Sequence, residues 1–455
     1  MKMYLRRMAA KAGAVVLAAA LLAGCSTAAP AASEAASSTA ASSSAAVSSA
    51  GFSPRLDTQA AVNLEVSGFI GNFEALDQVV NAFNEYYPNV TVSYEQNSGS
   101  KMVEYLKNNP YVDIIMTDDN NFRYEDWTDY YVLDQVADLS GEDIDTSAVQ
   151  DELLDACTFD GKLARLPIGL NLSGMAVNKT LLEKEGLAVP TNWQEFLDVC
   201  QALKEKGYTP IQGATTSVYA HLTYNMGMTE FGTDASLIEA LNNGEEAAVT
   251  AAGEAYSRLQ TLLDKGYTDP AVNAEYPDDN YDGAILKFFE GDVPFWVCTT
   301  ENFSGMKKRE SKSETYSASL FTYEFMYAPL GENGVYEYVE PWFGFSVNKN
   351  SDSYDYAVEF LRFLAQEDQL NTIAAVKGIP SAAKNSTDAR YAAARSPEAV
   401  EKRFVNGGTL LNHMKDYFRI EAAALGKGEV STAEEAAELY VERCAEIAAD
   451  MNTAG

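Results

Sequence analysis

Histidine and basic residues are scarce in this sequence. Only two histidines occur among 455 residues, so a metal site built from several histidines is excluded. The 33 lysines and arginines are outnumbered by 66 aspartates and glutamates, which gives a net charge of −33. Phosphate groups would repel such a chain, which argues against nucleic-acid binding and against electrostatic attachment to anionic lipid. The 47% hydrophobic fraction is nevertheless ordinary for a chain with packed cores, and the length suggests about two to three domains.

Recognisable catalytic motifs are also missing. The sequence contains no HExxH, no GxSxG and no P-loop. We therefore predict that the protein is not an enzyme and has neither a cofactor nor a bound metal. A glycoside hydrolase stays open as an alternative, because it needs only two carboxylates about 5–10 Å apart.

Cysteines are few and isolated, with no CxxC pair. Besides Cys25 the chain has Cys157, Cys200, Cys298 and Cys444. Cys200 and Cys444 fall on apolar stripes with helical spacing, which favours buried thiols over disulfides or metal ligands.

The first 24 residues have the composition of a bacterial secretory leader. Basic residues precede an apolar run from about Ala12 to Ala23, which is too short to span a bilayer. The run ends in Leu22-Ala23-Gly24-Cys25, which resembles a lipobox, in which the cysteine thiol receives a diacylglycerol. We therefore predict a signal peptide over 1–24, lipid attachment at Cys25 and a place on the extracellular face of the cell membrane. An ordinary signal peptide with an incidental cysteine is the alternative.

An alanine- and serine-rich segment follows the predicted lipid site. From Ser26 to Ala50, 20 of 25 residues are alanine or serine, and no hydrophobic period is present. Such a composition is typical of a flexible segment that buries no core. We predict a tether over 25–55 that holds a globular body away from the membrane.

The body begins with alternating strands and helices. The pattern predicts a strand at Asn63–Ile70, a helix over 73–83, a strand at Val90–Tyr94, a helix from Met102 and a buried strand at Val112–Met116. This order predicts a parallel, doubly wound sheet, whose ligands lie beyond the carboxyl ends of the strands. Farther along, we predict helices near 193–206, 235–242, 245–265, 354–364 and 431–450, and strands near 175–178, 293–298, 321–328 and 343–347.

Several segments, in their order, carry a family resemblance. They are Val112 to Ile115 (VDII), Gly161 to Pro167 (GKLARLP), Val177 to Lys179 (VNK), Pro190 to Phe196 (PTNWQEF), Phe289 to Phe295 (FEGDVPF) and Gly378 to Pro380 (GIP). Over about residues 60–455 the chain resembles the extracellular solute-binding proteins of ABC importers, in the carbohydrate-binding group that includes maltose-binding protein.

The resemblance implies an α/β fold of the type II periplasmic-binding-protein kind, with two lobes and a three-crossing hinge. Lobe one would comprise 60–168 plus 327–375, and lobe two 169–326 plus 376–455. The crossings would fall near Leu166–Gly169, Phe325–Pro329 and Val376–Pro380. The implied function is capture of a mono- or oligosaccharide by hinge closure and delivery to the permease subunits of the importer, by a protein expected to be a monomer.

Sugars present hydroxyl groups at the ring edge and C–H groups on the faces. A sugar site therefore needs carboxylates and amides together with aromatic rings. The candidates, at positions that match the family's cleft, are Phe69, Asn72, Glu74, Asp118, Asp119, Asn171, Tyr219, His221, Tyr224, Glu301, Asn302 and Trp342. Asn72 could instead cap a helix, and His221 could be structural. Trp342 is the main stacking candidate.

One departure from the family bears on ligand length. After the strand that ends near Thr299, the family often has a glycine and a stacking tryptophan, and this chain has neither. That difference disfavours a long, stacked oligosaccharide. Two other functions stay open: a cationic solute such as a polyamine, which would suit the acidic charge, and a sensor accessory or adhesin with the same body. The surplus acid is also explained by solubility alone.

Overall fold

The structure, a computed structural model, describes residues 51–71, 73–97, 100–117, 132–386, 388–391 and 399–454, with side chains at 100–102, 281 and 452–454 left aside. The predicted signal peptide, Cys25, most of the tether, Asn72, Asp118 and Asp119 lie outside the described residues. No helix among those residues is long and apolar enough to cross a membrane.

Strands and helices alternate along most of the described chain. The strands are β1 (Val62–Gly68), β2 (Val90–Gln96), β3 (Ile114–Thr117), β4 (Thr158–Phe159), β5 (Lys162–Leu163), β6 (Leu166–Asn171), β7 (Ser173–Asn178), β8 (Ile211–Gln212), β9 (Phe295–Thr299), β10 (Tyr323–Met326), β11 (Val335–Val347) and β12 (Val400–Val405). The helices are α1 (Glu74–Phe83), α2 (Ser100–Asn108), α3 (Asp151–Ala156), α4 (Lys179–Lys184), α5 (Trp193–Glu205), α6 (Ser217–Leu222), α7 (Tyr224–Thr233), α8 (Ala235–Asn243), α9 (Glu246–Asp264), α10 (Pro270–Asn273), α11 (Tyr281–Phe288), α12 (Thr300–Arg309), α13 (Glu314–Ala318), α14 (Tyr354–Leu364), α15 (Glu367–Lys377), α16 (Asn412–Lys427) and α17 (Ala433–Ala454).

The first sheet has the order β12-β11-β3-β1-β2, with β6 paired to β11. Strands β1, β2 and β3 are parallel, as the alternation of strands and helices predicts. Leu64 and Val66 of β1 point into a core with α1 and α14, whereas Ile115 of β3 points to the other face, against Val103 and Leu106 of α2. Helices therefore cover both faces, which agrees with the predicted doubly wound arrangement.

The second sheet has the order β10-β7-β9-β8. Successive residues of β7 face opposite sides, so Met175 and Val177 pack in a core with α5, α9 and α16, and Ala176 packs on the side of α11 and α12. Two sheets, each covered by helices, give the two-lobed α/β fold that the sequence predicts. The four cysteines of the described body are buried free thiols.

Three chain segments lie side by side where the sheets meet. Strand β6 leads through Leu172 into β7, and so connects the first sheet with the second. Strand β11 is antiparallel to β6, and Leu170 of β6 donates its N–H to the carbonyl of Pro380 at 3.3 Å. A Cβ atom at Gly169 would clash with side chains of both other segments, Phe343 and Ile379. Glycine is therefore required for this close approach.

Strand β11 is much longer than the predicted strand at 343–347. Its first part pairs with β12, and its last residues, Gly344–Val347, pair with β3. The register shifts between Pro341 and Gly344, where the strand bulges. The boundaries of the lobes stay a prediction, and the structure adds β11 as a strand that continues across the region between the sheets.

The body starts earlier in the sequence than the predicted tether allows. Phe52 is buried against Phe83 and Phe363, and the guanidinium of Arg362 lies 4.1 Å from its ring centroid. The backbone N–H of Arg55 donates to the carboxylate of Glu359 at 3.1 Å. Residues 52–55 therefore belong to the folded body, and the tether prediction that included them is corrected.

Candidate ligand-binding site

Asn171 lies at the end of β6, directly before the chain enters the second sheet. It is paired opposite Glu340 of β11. Its Oδ1 accepts hydrogen bonds from the Thr300 hydroxyl at 3.1 Å and from the Glu301 backbone N–H at 3.3 Å. The predicted site residue Asn171 therefore joins the hinge strands to the first turn of α12, which follows the second sheet.

Glu301 is exposed in the first turn of α12. Desolvation by the surrounding protein raises its pKa above the ordinary value, and the Lys377 ammonium acts in the opposite direction. The carboxylate makes no hydrogen bond and no direct ion pair with any described residue. A carboxylate that is accessible and yet poorly solvated is suited to accept hydrogen bonds from a ligand.

Lys377 is a site residue that the sequence did not reveal. It is the last residue of α15, and its Nζ lies 5.4 Å from the ring centroid of Trp342. Desolvation and the nearby Lys308 lower its pKa, while Glu301 and Glu74 raise it. Lys377 therefore brings Glu301, Glu74 and Trp342, three predicted site residues, into one electrostatic neighbourhood.

Trp342 is partly exposed at the bulge of β11. Its ring contacts the ring of Phe343 edge-on, with centroids 5.4 Å apart. The Lys377 ammonium lies over its face. A partly exposed indole next to an ammonium group offers a ligand an apolar ring surface and a hydrogen-bond donor.

A second polar group lies where β11 meets α16. Lys415 Nζ forms an ion pair with Glu340 Oε1 at 2.8 Å, and the Tyr338 hydroxyl donates to the same oxygen at 2.9 Å. Because the Lys415 side chain is only 6% exposed, this pair is largely removed from water. It connects the strand that carries Trp342 to the helices of the second core.

His221 lies on α6, close to this second group. Its Nδ1 is 3.3 Å from the Ser173 hydroxyl. Burial and the Arg419 guanidinium lower its pKa to about 3, against the opposing charges of Glu340 and Asp278. The imidazole is therefore neutral at physiological pH and can both donate and accept a hydrogen bond.

Tyr219 and Tyr224 are core residues, and their prediction as cleft aromatics is corrected. Each is only 1% exposed. The Tyr219 hydroxyl accepts a hydrogen bond from Asn273 Nδ2 at 3.3 Å. The Tyr224 ring packs edge-on against Tyr338, with centroids 5.2 Å apart. Both rings fill the space between helices, so neither offers a face to a ligand.

The remaining predicted residues differ in their surroundings. Phe69 follows β1 and packs, partly buried, against the first core. Glu74 is exposed at the start of α1. Asn302 is partly exposed, and its Oδ1 accepts from the Thr299 hydroxyl at 3.2 Å, so it helps to hold the start of α12. For Asn72, Asp118 and Asp119 the predictions stay predictions, since these residues are outside the described part.

A cavity of about 730 Å³ lies on the other side of β6. Leu170 and Leu172 line it, and they point away from Asn171 because neighbouring residues of a strand face opposite sides. The Glu337 carboxylate in its wall accepts a hydrogen bond from the Tyr327 hydroxyl at 2.8 Å. This cavity is therefore separate from the group formed by Asn171, Glu301, Lys377 and Trp342.

Comparison with known proteins identifies similar chains. Residues 68–370 match the family described as bacterial extracellular solute-binding protein. No curated protein sequence matches the chain.

Solved structures share the fold at low sequence identity. The sugar-binding protein MalE from Xanthomonas citri is 15% identical, with a TM-score of 0.67, 86% of this chain covered and 98% of that chain. RafE in complex with raffinose is 15% identical, with a TM-score of 0.63 and coverage of 85% and 99%. A sugar transporter from Bacillus licheniformis in complex with stachyose is 18% identical, with a TM-score of 0.60 and coverage of 85% and 100%. At these identities the likeness shows the two-lobed fold.

Proposed function

The chain belongs to the bacterial extracellular solute-binding protein family, and from this premise we propose that it captures a sugar outside the cell and delivers it to the membrane subunits of an ABC importer. The observation that carries the sugar assignment is the partly exposed Trp342 ring with the Lys377 ammonium 5.4 Å from its centroid, together with the exposed Glu301, which is hydrogen-bonded to Asn171 through its backbone. Aromatic faces bind the C–H groups of a sugar, and the carboxylate, amide and ammonium bind its hydroxyls.

Capture by hinge closure follows from where these groups lie. Trp342 belongs to the proposed lobe one and Glu301 to the proposed lobe two, while Lys377 lies in the predicted crossing Val376–Pro380 between them. A ligand that contacts both sets favours the closed state by the difference between its affinities for the closed and the open states. The strands β6 and β11 would carry the movement, because both extend across the region between the sheets.

Two alternatives differ in the ligand or in the outcome of binding. A cationic solute would use Glu301 and Glu74 but would be repelled by Lys377. A carbohydrate-active enzyme would use two carboxylates around one sugar linkage, and turnover of an oligosaccharide by the purified protein would identify it.

Lipid anchoring at Cys25 is part of the proposal. A cysteine after Leu22-Ala23-Gly24 would be acylated and would hold the body at the extracellular face of the membrane. Replacing Cys25 with serine is expected to release the protein into the medium and to abolish incorporation of labelled palmitate. Retention of the serine variant at the membrane would contradict the anchor.

A thermal-shift screen over neutral mono- to tetrasaccharides tests sugar binding. A ligand at a hundredfold excess over Kd stabilises the folded state by about 2.7 kcal/mol, which gives a measurable rise in Tm. Trp342→Ala is expected to remove the shift and Trp342→Phe to keep part of it, since phenylalanine retains an aromatic face. Asp119→Ala tests the predicted residue that lies outside the described part.

The matched control is Tyr111→Ala, which removes an aromatic ring that is 62% exposed. Tyr111 precedes β3, whereas the predicted site residues Asp118 and Asp119 follow it. This variant should keep the full shift. If no sugar in the screen raises the Tm of the unmodified protein, the proposed function is wrong. If Trp342→Ala keeps the full shift, the site assignment is wrong.

A further inference from the structure

Arg419 lacks the close partner that every other arginine of the described residues has. It makes no hydrogen bond with the described part of the chain, its Nε atom is buried, and its ion pair with Asp416 is 3.8 Å long. Guanidinium donors that are taken from water without an acceptor are costly. The other described arginines each make a hydrogen bond or ion pair of 3.1 Å or less: Arg55, Arg165, Arg258, Arg309, Arg362, Arg390, Arg403 and Arg443.

Tyr224 holds the Arg419 guanidinium in position. The Cζ atom of Arg419 lies 4.1 Å from the centroid of the Tyr224 ring. That ring is only 1% exposed and is itself fixed by its edge-on contact with Tyr338. A guanidinium that packs on an aromatic face keeps its N–H groups for other partners. Because the group is already oriented, less entropy is lost when an acceptor binds to it.

Arg419 lines a pocket of about 590 Å³ between α6, α16 and α17. This pocket shares no lining residue with the group formed by Asn171, Glu301, Lys377 and Trp342. Its volume is in the range of sites for small molecules. Part of its wall is apolar and comes from Ile420, which is 46% exposed, and from Ala423, Ala424, Val430 and Leu439.

Lys427 is a second cation of the same pocket. It is the last residue of α16, is exposed, and has no hydrogen bond or ion pair with the residues that the structure describes. It follows Arg419 by eight residues, about 12 Å along the helix axis. Lys427 therefore adds attraction for an anion at a longer distance than Arg419 does. Two cations without a close partner in one pocket stand out in a chain with a net charge of −33.

Three acids lie in or near the pocket, and their charges are paired or exposed. Glu421 is only 2% exposed, and its carboxylate lies 2.9 Å from Arg443 Nη1. Glu429 and Asp416 are exposed. Repulsion from exposed carboxylates is screened by water and salt, whereas the ion pair of Glu421 is already neutral as a unit. An anion at Arg419 therefore meets mainly attraction.

We propose that this pocket is a second binding site, which takes a small amphipathic oxyanion. Its carboxylate or phosphate group is held by the Arg419 guanidinium, which binds either group through paired N–H donors. Its apolar part packs on the surface formed by Ile420, Val430 and Leu439. The site does not depend on the proposed function, because it lies on other elements and takes a charged molecule whether or not the protein captures a sugar.

Isothermal titration calorimetry at constant ionic strength tests the site with four probes. Phenyl phosphate and inorganic phosphate share a head group, benzoate carries a carboxylate on the same ring, and benzylamine carries a positive charge. Phenyl phosphate is expected to bind about tenfold more tightly than inorganic phosphate, since the ring buries apolar surface. Benzylamine is expected not to bind. The tighter of phenyl phosphate and benzoate identifies the preferred head group.

Substitutions assign the binding to the pocket. Arg419→Gln should weaken binding of phenyl phosphate at least about tenfold, and Arg419→Lys should lie between, because lysine keeps the charge but not the paired donors. Lys427→Glu, a change at an exposed position, should weaken binding about fivefold. The matched control is Lys265→Gln. Lys265 follows α9 as its C-cap residue, is exposed like Lys427 and lies outside the pocket, so this variant should stay within about twofold of the unmodified protein.

The outcomes decide between the proposal and its absence. Because Arg419→Gln also removes a contact of Tyr224, the Tm of each apo variant is measured to show that it is folded. The proposal is overturned if neither phenyl phosphate nor benzoate binds, or if folded Arg419→Gln binds phenyl phosphate as tightly as the unmodified protein does. It is equally overturned if Lys427→Glu and Lys265→Gln have the same effect. Equal affinities for phenyl phosphate and inorganic phosphate would show that the apolar wall takes no part.

Discussion

His221 makes the stability of the protein depend on pH in a range where few other side chains titrate. Its folded-state pKa is about 3, whereas an exposed histidine titrates near 6.5. Between these values the unfolded chain binds a proton at this residue and the folded chain does not. The contribution of His221 to stability is therefore complete above pH 6.5 and is lost as the pH falls toward 3.

The size of the effect follows from the two pKa values. Within this window the free energy of unfolding falls by about 1.4 kcal/mol for each pH unit. Between pH 7.5 and pH 5 the loss is at most about 2 kcal/mol, because titration of the unfolded chain is gradual near pH 6.5 and the ring is partly exposed. Burial, the largest cause of the lowered pKa, and the Arg419 guanidinium act against Glu340 and Asp278.

The perturbation is His221→Gln, which keeps a polar side chain of similar length but cannot take up a proton. The assay is urea unfolding at several pH values between 5 and 7.5, for the variant and the unmodified protein. Subtraction of the two curves removes the effects of carboxylates with raised pKa values, such as Glu337 and Glu421, which both proteins retain. The difference should change by about 2 kcal/mol or less, in the direction of greater relative stability of the variant at low pH.

A control distinguishes the charge of the imidazole from the loss of a contact. Ser173→Ala removes the hydroxyl that lies 3.3 Å from Nδ1 but leaves the imidazole in place. This variant should keep the pH dependence of the unmodified protein, whatever its absolute stability. The reasoning is refuted if the curve of His221→Gln runs parallel to that of the unmodified protein between pH 5 and 7.5.

Two further predictions concern the stability of the first lobe. Arg165 is fully buried and donates hydrogen bonds to the carbonyl oxygens of Thr117 and Pro341 at 3.2 and 3.1 Å. Because a lysine cannot reach both oxygens, Arg165→Lys should lower the free energy of unfolding, measured by urea titration, by about 3 kcal/mol. An unchanged urea midpoint would show that these hydrogen bonds are dispensable. The Phe52 ring packs against Phe83 and Phe363 and so anchors the start of the body. Phe52→Ala should therefore lower the free energy of unfolding by about 3–4 kcal/mol and expose the peptide bond after Arg55 to trypsin in limited proteolysis. Resistance of that bond equal to that of the unmodified protein would contradict the anchoring.

The elements that the sequence predicted well are those with a regular hydrophobic period. Helix α14 has the predicted bounds Tyr354–Leu364, since its buried residues recur at helical spacing. Helix α5 begins at the predicted residue, Trp193, and the Asn192 side chain caps it by accepting a hydrogen bond from the N–H of Glu195. In both cases the signal lies within one element and needs no knowledge of its neighbours.

Strand β11 shows what such local signals cannot give. Its first part contains Glu337, Glu340 and Pro341, and the register shift next to Pro341 interrupts the alternation expected of a strand. The pairing partners β12, β6 and β3 come from distant parts of the chain. The length of this strand is therefore decided by tertiary pairing, and only its regular last part, 343–347, could be predicted.

The candidate site also contains residues that the sequence could indicate and residues that it could not. Asn171 could be proposed from the sequence because it lies where the family has a polar contact, and its contact with a ligand stays a prediction. Lys377 was not, because a lysine before a glycine at the end of a helix has an ordinary local explanation as part of the helix terminus. The prediction of Tyr219 and Tyr224 as cleft aromatics was wrong. The sequence alone does not show whether an aromatic ring faces a cleft or packs against a neighbouring helix.

The arrangement of Lys377 and Glu301 also explains how a site with few direct contacts could bind a sugar well. In water, a sugar hydroxyl competes with solvent for each charged group, and the net gain of one hydrogen bond is small. Here desolvation raises the pKa of the Glu301 carboxyl and lowers the pKa of the Lys377 ammonium. The ligand then supplies hydrogen bonds that these groups lack, so less of the binding free energy is lost to desolvation. Glu301 follows the second sheet and Trp342 lies on a strand of the first. Under the proposed function, a ligand that contacts both residues would therefore couple binding to closure.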